Sequence, residues 1–130
     1  MTEQISSDRI SRAVRAYFLA IRAMDAEAFA NTFAEDGTTF DPVGSPAITG
    51  REEIREFLQS ICQNFKSVAL EEDFVFVAGS GAAVKWTGRG TSANGREVKF
   101  EGVDVFDVNE DGKIQTLRAY WNPAEMIAQL

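Results

Sequence analysis

Part-way along this chain the spacing of apolar side chains changes, and the change sets the fold class. Before Phe65 they recur at helical intervals: Ile10, Val14, Tyr17, Ile21 and Met24 fall 4, 3, 4 and 3 residues apart, one face of an α-helix. From Val68 onward the chain is rich in Val, Phe, Trp and Thr, and Gly79-Ser80-Gly81, Asn94-Gly95 and Asp111-Gly112 punctuate it. Glycine-containing turns between β-prone runs mark hairpins. They predict four antiparallel strands, near 67-78, 82-92, 96-108 and 113-121. Helices first and a meander afterwards predict an α+β domain, a curved, mostly antiparallel sheet with helices over one face.

Three helices are expected in the first half. The first runs from about Ser7 to Met24, with Ser6 or Ser7 as its cap. Asp25 caps a short second helix carrying Phe29 and Phe33, which Asp36-Gly37 stops. A brief extended segment, Thr38 to Asp41, then enters the turn Pro42-Val43-Gly44-Ser45-Pro46. Thr49 and Glu52 form the pattern of a capping box before Ile54, Phe57, Leu58 and Ile61, so the third helix spans roughly Gly50 to Phe65. No Pro/Gly/Ser-rich linker or internal repeat divides residues 1-130, which read as one domain. Three helices cannot seal such a sheet, which predicts a cone whose open, apolar mouth is a pocket.

The residue inventory narrows the chemistry. Histidine is absent, so Ser-His-Asp and Cys-His systems, His-ligated zinc and imidazole acid-base catalysis are excluded. A single cysteine, Cys62, makes no intrachain disulfide or multi-thiolate metal site. A net charge of −7 repels phosphate backbones and anionic bilayers, so neither nucleic acid nor a membrane is the expected partner. The longest apolar run, Ala16 to Ile21, falls far short of the about 18 residues of a span, and a cytoplasmic location is the default expectation. Proton chemistry is left to carboxylates, tyrosines and lysines.

Three such residues stand out. Along the third long strand Val98, Phe100, Gly102, Asp104, Phe106 and Val108 share one face, so Asp104 interrupts an apolar row. A carboxyl turned inward there without a cation takes up a proton and becomes a hydrogen-bond donor; an Asp solvated at the mouth of the sheet, or capping a backbone donor, is the plainer alternative. Tyr17 lies on the apolar stripe of the first helix, where a hydroxyl bonded to a backbone carbonyl would also suffice. Asp41 directly precedes Pro42, a position where Asp ordinarily just forms turns. Jointly they have a chemistry: Tyr17 and a neutral Asp104 hold a developing oxyanion while ionised Asp41 takes a proton. Gly79-Ser80-Gly81 and Gly88-Arg89-Gly90 lack a phosphate-loop context and read as turns or bulges, and Asp107, Glu110 and Asp111 read as a solvated turn.

Residues 41-50, Asp-Pro-Val-Gly-Ser-Pro-Ala-Ile-Thr-Gly, followed by Arg51-Glu52-Glu53-Ile54, resemble the segment that carries the base of bacterial ketosteroid Δ5-isomerases, and residues 103-121 resemble their last two strands. The resemblance implies the cone-shaped α+β barrel shared with nuclear transport factor 2 and SnoaL-like polyketide cyclases. It puts the base on Asp41 and the oxyanion-hole donors on Tyr17 and on Asp104, the latter a carboxylic acid kept neutral by apolar surroundings, as is established for ketosteroid isomerase itself. It further implies substrate contacts at Phe33, Phe57, Leu58, Phe100 and Trp121, a hydrophobic enone such as a steroid as substrate, no cofactor or metal, and a homodimer through the outer sheet face, where Val103 and Val105 lie. Leu58 and Phe33 occupy positions where the family carries tyrosines supporting the oxyanion hole, so that hydrogen-bond chain is shortened here. The same acids also suit a SnoaL-like cyclase, hydratase or epoxide-opening enzyme, and a binding domain without catalysis would keep them as remnants.

Overall fold

The computed structural model describes residues 2–130, with side chains from residue 7 onward. Its elements are α1 (Thr2–Arg22), α2 (Ala26–Asn31), β1 (Phe33–Phe40), β2 (Ile48–Thr49), α3 (Arg51–Asn64), β3 (Phe65–Ala78), β4 (Gly81–Ser92), β5 (Glu97–Val108), β6 (Ile114–Trp121) and α4 (Pro123–Ile127). One six-stranded sheet has the order β2-β1-β6-β5-β4-β3, antiparallel throughout except where β1 runs parallel to β6. The sheet does not close, because β2 and β3 remain edges. α3 nevertheless touches β1 and β2 at one end of the strand order and β3 at the other, so the sheet curls around its helices.

The turns that delimit the meander lie where glycine permits a left-handed backbone: Gly79, Gly95 and Gly112 have φ of 57°, 89° and 77°. Alternation then sorts the strands. Val98, Asp104, Phe106 and Val108 of β5 are buried, whereas Val103 and Val105 between them are exposed. α1 buries Ile10, Val14, Tyr17, Phe18 and Ile21, the expected stripe widened by Phe18.

Four expectations are corrected. α1 begins at Thr2, so Ser6 and Ser7 lie inside it and neither caps it. α2 ends at Asn31, where the Thr32 hydroxyl donates back to the Phe29 carbonyl at 2.7 Å, and Phe33 opens β1 by pairing with Ile114. Strand pairing overrides a local i,i+4 apolar spacing that reads as helix, and Asp36-Gly37 sits within an irregularity of β1 instead of at a helix end. The Thr49–Glu52 box does not form: Gly50 is the N-cap at φ 90° and ψ 148°, Thr49 pairs with Thr38 in β2, and the Thr49 amide donates to Glu53 at 3.3 Å. Finally, Gly88-Arg89-Gly90 is neither turn nor bulge but regular β4, paired in register with Phe100, Lys99 and Val98.

Gly102 in β5 pairs with Trp86 on one side and Trp121 on the other. A Cβ there would stand 2.6 Å from the Trp86 ring, 2.7 Å from the Trp121 Cβ and 2.7 Å from the Tyr120 carbonyl. Gly102→Ala is expected to destabilise the fold by about 1–3 kcal/mol through forced displacement of packed atoms. Urea denaturation checks this, and an unshifted midpoint would refute the close packing.

Candidate active site

Asp41 follows β1 directly. The Val43 amide donates to the Ala119 carbonyl at 2.8 Å, which ties this loop to β6, and the Trp121 indole N–H at the end of β6 donates to Asp41 Oδ1 at 2.7 Å. The residue keeps part of its surface at the protein exterior, but its carboxyl group is enclosed by protein. Tyr17 lies inside α1 and is 2% exposed. Its ring is held edge-on by Phe18 and Phe106, with centroids at 5.1 and 5.2 Å, and tilted against Phe29 at 5.1 Å. Among the described residues no hydrogen bond contributes to the titration of its hydroxyl, and the residue lines a cavity.

That cavity has a volume of about 110 Å³. Tyr17 and Asp41 line it together with Phe57, Leu58, Phe100 and Trp121, and the remaining wall is apolar. Two residues expected at the site lie outside its lining. Phe33 is fully buried, its ring centroid 6.1 Å from that of Tyr17 in an edge-on contact, so it packs against the tyrosine from outside the cavity. Asp104, 1% exposed, stands between Val84 of β4 and Ala119 of β6 and accepts a hydrogen bond at Oδ1 from the Trp86 indole at 2.9 Å. Its Oδ2 has no partner.

Burial governs the protonation of all three groups. Desolvation raises Asp41 from 3.8 to about 6, partly offset by the Trp121 hydrogen bond. Desolvation raises Asp104 well above the ordinary carboxyl range; the Asp41 charge raises it further, and the Trp86 hydrogen bond opposes both. Tyr17 is raised by desolvation and by the Asp104 and Asp41 charges, which places both carboxyls within electrostatic reach of its hydroxyl. Among the described residues the ion pairs are Arg22–Glu72, Arg55–Glu27, Lys85–Asp73 and Lys85–Glu101, so no cation relieves Asp41 or Asp104. With like charges close in a dry site, the group that ionises first suppresses the other. Of the two carboxyls Asp41 is the more readily ionised, and burial favours the protonated forms of Asp104 and Tyr17.

Trp86 is the site residue that sequence reasoning missed. The signal was present: Ala82, Val84 and Trp86 form the inward row of β4, and the hairpin through Asn94-Gly95 sets Val84 opposite Asp104, hence Trp86 one inward position away. Within the described residues no group of three His, Cys, Asp or Glu side chains is placed to hold a metal ion, and no helix is long and apolar enough to cross a membrane.

The SnoaL-like domain family matches residues 14–117. The chain belongs to that family. It is 31% identical over 121 residues to a steroid Δ-isomerase of Nocardioides simplex, covering 93% of this chain and 96% of the relative. Among solved structures, a putative polyketide cyclase of Xanthomonas campestris superposes with a TM-score of 0.85 at 26% identity, covering 95% of this chain and 98% of the other. An epoxide hydrolase/cyclase-like enzyme with a role in pyran ring formation in the polyether salinomycin superposes with a TM-score of 0.81 at 28% identity, covering 92% and 95%. These relatives set the chain among the enzymes of the nuclear-transport-factor-2-like superfamily, within the α+β fold described above.

The raised Asp41 has a consequence for stability. The folded chain holds this proton more tightly than the unfolded one, so stability falls as pH rises through the window from 3.8 to about 6 and is level above it. The full contribution is on the order of 3 kcal/mol. Asp41→Asn, whose carbonyl can still accept from Trp121, is expected to remove this slope, read from urea midpoints of both proteins across pH 4 to 7; parallel curves would refute the assignment.

Proposed function

We propose that the chain is a cofactor-independent isomerase that moves a proton between the carbons of a β,γ-unsaturated ketone to give the conjugated enone. Ionised Asp41 takes the proton from the carbon between carbonyl and double bond, the electron pair delocalises onto the carbonyl oxygen, and Asp41 returns the proton at the γ carbon. Tyr17, in the cavity wall, meets the dienolate oxygen with its hydroxyl, and neutral Asp104, outside that lining with its Oδ2 unpartnered, is the second donor once the oxygen reaches past the wall. Trp121 orients the base through its 2.7 Å hydrogen bond. The observation that carries the reading is one ionisable base and one free phenol on the same dry cavity, with a second acid beside them kept neutral by burial and by the base's own charge.

A second reading, suggested by the epoxide hydrolase/cyclase-like neighbour, has the same acids open a ring. Hydrolysis needs a held water, and a buried water needs about two to four polar partners. Besides Asp41 and Tyr17 the cavity wall offers only the indole of Trp121, whose N–H is already given to Asp41. This favours proton transfer over hydration.

A homodimer through the outer sheet face completes the proposal. Phe74 and Phe76 of β3 stack on that face and are exposed, as are Val103 and Val105 of β5 and Tyr120 of β6. Register puts Phe76, Ala83, Val105 and Arg118 in one row and Phe74, Lys85, Val103 and Tyr120 in the next. Lys85 and Arg118 interrupt these rows, but the apolar side chains cluster around them more densely than scattered surface hydrophobics do. Val105→Glu is expected to shift sedimentation towards the monomer.

Asp41→Asn should lower turnover of a β,γ-unsaturated ketone by at least about 10²-fold, the minimum for a positioned base, and Tyr17→Phe by about 10²–10³-fold. Because the base must be ionised, kcat/KM should rise tenfold per unit with pH up to about 6 and then level. Unchanged turnover in Asp41→Asn would reject the mechanism.

A further inference from the structure

The cavity is small for the reaction it is proposed to serve. An apolar cavity of about 150 Å³ holds a single benzene ring, and this one measures about 110 Å³. A four-ring skeleton does not enter it as it stands. One side of it is formed by α4. α4 follows Trp121 at once, capped by the Asn122 side chain, which accepts from the Ala124 amide at 3.0 Å, and it turns back over the site so that Met126 forms part of the cavity wall. No residue of α4 is buried, and β5 is the main element it packs against. A side-chain amide fastens it: Gln129 Oε1 accepts from the Lys99 amide at 2.9 Å, and Gln129 Nε2 donates to the Lys99 carbonyl at 2.7 Å. Lys99 adjoins Phe100, which lines the same cavity.

We propose that α4 is the size-selecting wall of the cavity, with Met126 closing it and the Gln129 clasp on Lys99 holding it closed, and that the substrates are enones of one ring or a short branched chain. The chemistry named here rests on the isomerase reading; the size limit rests only on the cavity and α4. An element with few buried contacts opens more readily than the core, so the clasp sets how often a larger ligand gains entry. Met126 and Gln129 are thereby specificity determinants, acting on which ligands enter.

The test separates size from chemistry. Phenol, 2-naphthol and a four-ring phenolic steroid all offer the same hydroxyl to Tyr17, and binding is read from quenching of Trp121 and Trp86 fluorescence. Area burial alone favours the larger probe, so the expected reversal is diagnostic: in the unmodified protein phenol binds at least about tenfold more tightly than the steroid, and Met126→Ala and Gln129→Ala each narrow that ratio by at least about tenfold. Both side chains lie outside the buried core, and Gln129→Ala enlarges no wall, so it isolates the clasp. Steroid binding as tight as phenol in the unmodified protein, or a ratio that neither variant moves, would overturn the proposal. Turnover of 3-cyclohexenone against a steroid Δ5-3-ketone is measured alongside. A size ranking among the phenols with no turnover of any enone overturns the isomerase reading and leaves the size limit standing; turnover of both ketones at similar kcat/KM overturns the size limit and leaves the isomerase reading standing.

Discussion

Two carboxyl groups lie enclosed in apolar surroundings with no cation beside either among the described residues, and each is held by the N–H of one tryptophan: Asp41 by Trp121, Asp104 by Trp86. An isolated carboxylate in such a place is costly, and one neutral indole donor offsets only part of the lost hydration. Joint ionisation of the pair is disfavoured, and position in the fold favours Asp41 as the anion. Asp41 sits at a loop with some access to the exterior, while Asp104 is in the middle of the sheet and feels the charge of Asp41. The unequal readiness of the two carboxyls to ionise therefore follows from position in the fold. Gly102 makes the arrangement possible, because the Trp86 ring and the Trp121 Cβ both crowd the one β5 residue that has no side chain.

Tyr17 is positioned by a different means. Where the ketosteroid isomerase resemblance leads one to look for supporting tyrosines, this chain has Leu58 in the cavity wall and Phe33 behind the ring. Four aromatic rings surround Tyr17 instead, most of them edge-on. Edge-to-face contacts fix the plane of the ring but put no demand on the hydroxyl. The phenol thus keeps its whole hydrogen-bonding capacity for the cavity, at the cost of the polarisation that a chain of hydroxyls would lend it.

Legibility in the sequence followed the range of the interaction. The strands of the meander were readable because glycine turns and period-2 alternation are local, and the inward face of Asp104 came with them. The path of residues 32–40 was not, because Phe29 and Phe33 have helical spacing and only the distant partner Ile114 draws Phe33 into β1. Trp86 was overlooked since an aromatic residue on an inward row reads as core; its N–H acquires meaning only once the hairpin sets it near Asp104. The closure of the cavity by α4 was hidden for a similar reason: Gln129 and Lys99 are 30 residues apart, joined through a backbone that carries no side-chain code.

Protonation in this fold is in the end a matter of strand register. In β5 the residues on either side of Asp104, Val103 and Val105, point outward, and Asp104, Phe106 and Val108 point inward. A slip of one residue would exchange the two sets, bringing the valines into the core and the carboxyl out to water. The acid would then have an ordinary pKa and no part in the site. Register in a hairpin is set by the turn, and the two turns flanking β5 reach their conformations through Gly95 and Gly112, both left-handed. The ladder that β4 and β6 impose from either side holds Asp104 opposite Val84 and Ala119, and the same ladder carries Trp86 and Trp121 to the two carboxyls. Turn glycines on the protein surface therefore govern an ionisation equilibrium in its interior.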